Sequence, residues 1–172
     1  RRCGKSTILE MLKKELLSRG INESHIIQKN YSNEDFGKSF SSKEMYEELK
    51  SSIIDNQRYY FLLDELQEID GWEKVINTLL ESYNSDIYVT GSNSKLMSSE
   101  ISSYLTGRYV TIPVYTLSFK EYLLFKNNLN KTIKENLIDY IRYGGFPLIA
   151  SGNFNEETSY GIIEDIYNSV VI

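Results

Sequence analysis

Gly4-Lys5-Ser6-Thr7 runs straight into an apolar-periodic segment, and no other feature of the 172-residue chain restricts its fold as much. Ile8, Leu9, Met11, Leu12, Leu16 and Leu17 recur at helical spacing between Thr7 and Arg19, and Gly20 supplies the stop. A glycine ahead of a helix lets backbone approach a bound group closely, and the unpaired N–H groups of the first turn form an anion nest. Lysine adds a compact positive charge, and a hydroxyl can face a metal ion. Arg1 to Ser6 match the last six positions of G-x-x-x-x-G-K-[ST]. In that pattern the lysine serves the β- and γ-phosphates of a nucleoside triphosphate and the hydroxyl serves Mg²⁺. Its first glycine would fall two residues before Arg1, so the sequence reads as a fragment. Taken alone, Gly4-Lys5-Ser6 also fits an ordinary helix start.

A second motif bears on that choice. Tyr59-Tyr60-Phe61-Leu62-Leu63 is a short continuous apolar run that ends in Asp64-Glu65. A strand buried on both faces looks like this, and open parallel sheets bind ligands at the carboxyl ends of their strands. Asp64 is placed to hold the Mg²⁺ shell and Glu65 to polarise an attacking water. Side chains alternate along a strand, so the two carboxylates are expected to serve different jobs. The alternative is a strand that ends in a solvated acidic turn. Between the two motifs lie a strand near Ile26-Ile27 and a helix opened by the capping box Ser41-x-x-Glu44. Beyond them, Asp70-Gly71-Trp72 opens another helix with Trp72, Val75, Ile76, Leu79 and Leu80 inward. Ile87-Tyr88-Val89-Thr90 reads as a strand, Ser94 to Leu105 as helix, and Tyr109 to Val114 as a last strand. Alternating strands and helices imply parallel pairing and a three-layer α/β domain. From Ser118 the pattern turns helical, broken by Tyr143-Gly144-Gly145-Phe146-Pro147 and resuming near Glu156. This places a core over residues 1–117 and a small helical domain over 118–172.

Two further turns carry polar groups. Gly91-Ser92-Asn93-Ser94 can present Ser92 and Asn93 to a lytic water or a γ-phosphate, or can simply cap the next helix. Arg108, after Gly107, can reach a neighbouring subunit's phosphate or can close a structural salt bridge. Cys3 lies beside Lys5 and a helix start, conditions that favour thiolate, although a small residue packed under the loop fits as well. The single histidine, His25, has no second histidine or cysteine near it in sequence, which argues against zinc.

Composition narrows the classes. A net charge of -5 argues against a nucleic-acid groove spread over the surface. One cysteine rules out a disulfide framework and fits a reducing compartment, so a cytoplasmic location is expected. No apolar run reaches the roughly 18 residues of a membrane span.

The phosphate-loop half, Asp64-Glu65-Leu66-Gln67, Val89-Thr90-Gly91-Ser92-Asn93, Leu105-Thr106-Gly107-Arg108-Tyr109 and Thr116-Leu117-Ser118-Phe119-Lys120-Glu121-Tyr122 stand in a specific order. Together they resemble the prokaryotic AAA-type ATPases usually followed by a C-terminal domain of unknown function. The resemblance implies a P-loop NTPase (AAA+) parallel sheet followed by a helical lid, acting in ATP binding and Mg²⁺-dependent hydrolysis. It implies Gly4, Lys5, Ser6 and Thr7 on the nucleotide, Ser6 and Asp64 on the metal, and Glu65, Ser92, Asn93 and Arg108 in catalysis. It also implies that the strand preceding the loop, central in that architecture, lies outside the sequence. The effector domain would follow Ile172. A homo-oligomer or a protein partner is compatible with the same residues, as is a nucleotide-dependent switch with little turnover of its own.

Overall fold

The computed structural model describes residues 2–32, 41–91, 105–126 and 131–171. By its contacts the chain forms two compact units, Ser6–Thr111 and a second made of Ile112–Ile172 with Arg1–Lys5.

In the first unit helices and strands alternate: α1 (Lys5–Ser18), β1 (Ile26–Asn30), α2 (Ser42–Ser51), β2 (Tyr59–Asp64), α3 (Trp72–Ser82) and β3 (Ser85–Val89). The strands form a parallel sheet in the order β1-β2-β3, with Ile27 beside Phe61 and Phe61 beside Ile87. Strand alternation then sorts the side chains onto two faces. Leu62 and Ile26 pack with Leu9 and Leu16 of α1. Phe61, Leu63 and Tyr59 pack with Met45 and Leu49 of α2 and with Trp72, Val75, Ile76 and Leu79 of α3. The sheet is therefore the middle of three layers, and β2 is buried on both sides, as its unbroken apolar run requires.

Local signals set the ends of these elements. Ser41 Oγ accepts from Glu44 N, and the Glu44 carboxylate accepts from Ser41 N, which completes the expected capping box of α2. Gly71, at φ 77°, turns the chain into α3 from the left-handed region. At the amino end of the strands, the buried His25 donates through Nε2 to Asp55, 3.0 Å from Oδ2. Its ring meets Tyr59 edge-on at 4.8 Å. The sole histidine is thus a packed core residue.

One expected strand does not form. Residues 109–114 join no ladder among the described residues, and Val110 and Ile112 are 87% and 79% exposed. Their β-branched sequence favours extended backbone, but a strand is stabilised by a neighbour and a packed face. Among the described strands none lies beside this segment, and Pro113 has no N–H to donate. The expected helix over 94–105 falls almost wholly outside the described residues.

The second unit contains α4 (Phe119–Lys126), α5 (Ile133–Tyr143), α6 (Pro147–Ser151) and α7 (Glu156–Val171). Thr132 and Glu135 form a capping box at the start of α5. Tyr122 and Tyr140 meet edge-on at 5.4 Å, and Tyr140 Oη donates to Leu117 O. Leu117 N donates to Gly145 O at 2.7 Å. A Cβ at Gly145 would sit 2.1 Å from Leu117 O, so this approach admits only glycine. Among the described residues no helix is long and apolar enough to cross a membrane.

Two measurements check this account. Leu63→Ala, at a fully buried site in the main core, should destabilise the fold by about 2–5 kcal/mol in denaturant titration. Asp55 accepts from Gln57 N and from His25, and these bonds hold its carboxyl below the ordinary carboxylate range. A carboxylate depressed in the folded state stabilises above its unfolded pKa, and that contribution disappears as pH falls through the folded value. The stability gap between wild type and Asp55→Asn should therefore narrow below about pH 4.

Candidate functional site

The site begins where β2 ends. Asp64 is the last residue of the strand and is only 6% exposed. In an unbroken parallel ladder, Thr90 O would accept from Glu65 N. The observed bonds skip a residue: Thr90 N donates to Leu63 O at 2.9 Å, but Thr90 O accepts from Leu66 N at 3.2 Å. Glu65 bulges out of the ladder in the left-handed region, at φ 57° and ψ 39°. For a side chain without a local cap this conformation costs on the order of 1–2 kcal/mol. The displaced Glu65 N–H turns to Thr90 Oγ1 at 3.4 Å. That hydroxyl in turn donates to Asp64 Oδ1. Gln67 Nε2 donates to Glu65 Oε2.

The two carboxylates therefore diverge by a backbone turn, where the sequence suggested strand alternation. Asp64 stays within the sheet layer while Glu65, half-buried, leaves it. Thr90 and Gln67 hold this corner together, and neither drew a role from sequence. The available signal for Thr90 was positional: a hydroxyl one residue past β3 falls in register with Asp64, one residue past β2's own pairing of Leu63 with Val89.

At the other motif, Gly4 has φ 91°, which L side chains rarely adopt. A Cβ there would find only ordinary van der Waals contact, so backbone conformation rather than crowding calls for glycine. Lys5 opens α1, and Ser6 and Thr7 lie exposed in its first turn, which carries no acidic residue. The helix therefore presents uncompensated N–H groups and the positive end of its dipole. A short connection leads from Ser18 back into β1, so α1 runs antiparallel to the strands. Its amino end, with Ser6 and Thr7, lies toward the carboxyl ends of the strands, the end occupied by Asp64.

The remaining sequence candidates fall elsewhere. Arg108 Nη1 donates to Glu81 Oε1 at 2.9 Å and to Asn77 Oδ1 at 2.8 Å, both on α3. This is the salt-bridge arrangement that sequence left open beside a phosphate role, and it holds the Glu81 carboxyl below its usual range. Ser92 and Asn93 lie outside the described residues. Cys3 is half-buried.

The donor set suits a hard cation that brings most of its own ligands. Among the described residues no group of three or more His, Cys, Asp or Glu gathers to hold a metal unaided. Asp64 and Ser6 would offer a carboxylate and a hydroxyl, donor types that Mg²⁺ takes from protein alongside substrate phosphates.

A three-stranded parallel sheet between helical layers, with paired acids at the end of its central strand, is a mixed α/β architecture consistent with a P-loop type of domain. The sequence matches the AAA domain family over residues 1–123, and the chain belongs to that family. It is 34% identical, over its whole length, to an uncharacterised protein of Haemophilus influenzae, of which it covers 43%. It is 35% identical over 75% of its length to an uncharacterised protein of Methanocaldococcus jannaschii, of which it covers 32%. The chain thus spans less than half the length of these relatives.

The bulge makes a distinctive prediction. Glycine accepts the left-handed region at no steric cost, although it gains freedom when unfolded. Glu65→Gly should therefore melt no lower than wild type in calorimetry. Glycine substitution of the buried strand residue Leu62 should lower the melting temperature clearly.

Proposed function

We propose that this chain binds ATP and hydrolyses it with Mg²⁺, as the ATPase part of a longer protein whose cycle drives or gates a further domain. The observation that carries this reading is the acid corner. A buried Asp64 ends the central parallel strand, and Glu65 leaves the same point in a strained backbone conformation. Strain of this kind persists where surrounding contacts over-determine it, as at active sites.

In this reading Gly4 gives backbone access, Lys5 holds the β- and γ-phosphates, and the N–H groups around Ser6 and Thr7 complete the nest. Ser6 and Asp64 would hold Mg²⁺, which supplies charge neutralisation at the phosphate oxygens when bound. Glu65 polarises the attacking water, which Ser92 and Asn93 help to position. Arg108 serves the developing charge after giving up Glu81 and Asn77. Residues 1–117 act as the core and 118–172 as a helical lid. Family membership supports nucleotide binding; the particular roles rest on the chemistry of the residues.

The Arg108 contacts favour one further reading, a nucleotide-gated switch that turns over slowly until a protein partner or second copy frees that arginine. Phosphate release by the full-length protein alone, against release with a partner added, separates the two.

Glu65→Gln in the full-length protein should retain ATP binding while turnover falls roughly 10²–10⁴-fold. Lys5→Ala should lose binding itself. Undiminished turnover in Glu65→Gln would remove the proposed base.

A further inference from the structure

We infer that Thr90 is the positioning residue of the acid corner: its hydroxyl orients Asp64 and its backbone and side chain together hold Glu65 in the bulge. This rests on the ATPase reading above for its catalytic consequence, but not for its structural content.

Thr90 makes four hydrogen bonds at one point. Its N donates to Leu63 O and its O accepts from Leu66 N, which spans the bulge. Its Oγ1 accepts from Glu65 N and donates to Asp64 Oδ1. A hydroxyl has one proton and two lone pairs, so it can serve both neighbours at once. The Glu65 N–H, deprived of its ladder acceptor, would otherwise need a different partner at the edge of a buried strand. The proton given to Oδ1 fixes one oxygen of Asp64. Among the described residues the carboxylate makes no other hydrogen bond, so Oδ2 is the oxygen left to a cation or its water shell.

The geometry also states which side chains can do this. The group must be short enough to reach the end of the neighbouring strand β2 and must both donate and accept. Serine meets these conditions; valine has the shape without the hydroxyl. Glycine and alanine at position 90 would leave the Glu65 amide and Oδ1 to water. Bulges of this kind terminate pairing and re-aim a side chain beside a site, and here the re-aimed side chain is Glu65.

The test compares Thr90→Val with Thr90→Ser in the full-length protein. Thr90→Val should lower kcat for ATP at least tenfold and raise the Mg²⁺ concentration for half-maximal turnover severalfold, with KM for ATP changed less than threefold. Thr90→Ser should restore most of the lost turnover and of the Mg²⁺ response. Amide hydrogen exchange, read without nucleotide, should show the Glu65 N–H at least tenfold less protected in Thr90→Val than in wild type or Thr90→Ser. Equal kcat and Mg²⁺ response in Thr90→Val and wild type would overturn the inference. So would equal losses in the serine and valine variants, which would assign the effect to packing. If wild type neither binds nor hydrolyses ATP, the ATPase reading fails instead. The exchange result then decides the role of Thr90 alone: unchanged Glu65 protection in Thr90→Val overturns it.

Discussion

Burial of β2 on both faces is the constraint from which the rest of this structure follows. Leu62 faces α1 while Phe61 and Leu63 face α2 and α3, so the strand cannot shift by one residue without exchanging its two packed surfaces. Full burial of aliphatic and aromatic side chains of this size contributes about 1.5–3 kcal/mol each. That register fixes where the strand ends, and its end is Asp64. A carboxylate there, 6% exposed, is tolerated because the hydroxyl of Thr90 meets it.

From that anchored end the chemistry is a matter of backbone direction. An extended strand would keep Glu65 in the ladder, hydrogen-bonded to Thr90 O. The bulge instead hands that acceptor to Leu66 and sends Glu65 out of the layer. The cost of a left-handed glutamate is met by a cluster of local bonds from Thr90 and Gln67. The two acids are thereby set apart, Asp64 inside the sheet layer and Glu65 outside it. The amino end of α1, with Ser6 and Thr7, faces the same direction, so its first turn and the acids share an end of the layered unit.

The contrast between β2 and residues 109–114 shows what local propensity can and cannot specify. Both are rich in side chains that favour strands, aromatic in β2 and β-branched in the later segment. β2 has a ladder on each side and helices over both faces; the later segment leaves Val110 and Ile112 in solvent. Strand formation is a property of the neighbourhood, and the neighbourhood is not written in six consecutive residues.

Much of the fold was legible in the sequence because its signals are local or periodic. Helical spacing in α1 and α3, the Ser41-Glu44 capping box, the unbroken apolar run of β2 and the Gly-Lys-Ser helix start all act over a few residues, and each appears where its pattern placed it. The acid pair was legible as a composition, Asp64 then Glu65. What only the tertiary structure decided is how the pair is set. Thr90 lies 26 positions from Asp64 in the chain, and parallel pairing of β2 with β3 makes them neighbours. The choice of Glu81 and Asn77 by Arg108 likewise depends on where α3 lies, across some 30 residues of chain. Sequence alone specifies which groups are available; a hydrogen bond between distant residues exists only once the sheet has fixed their register.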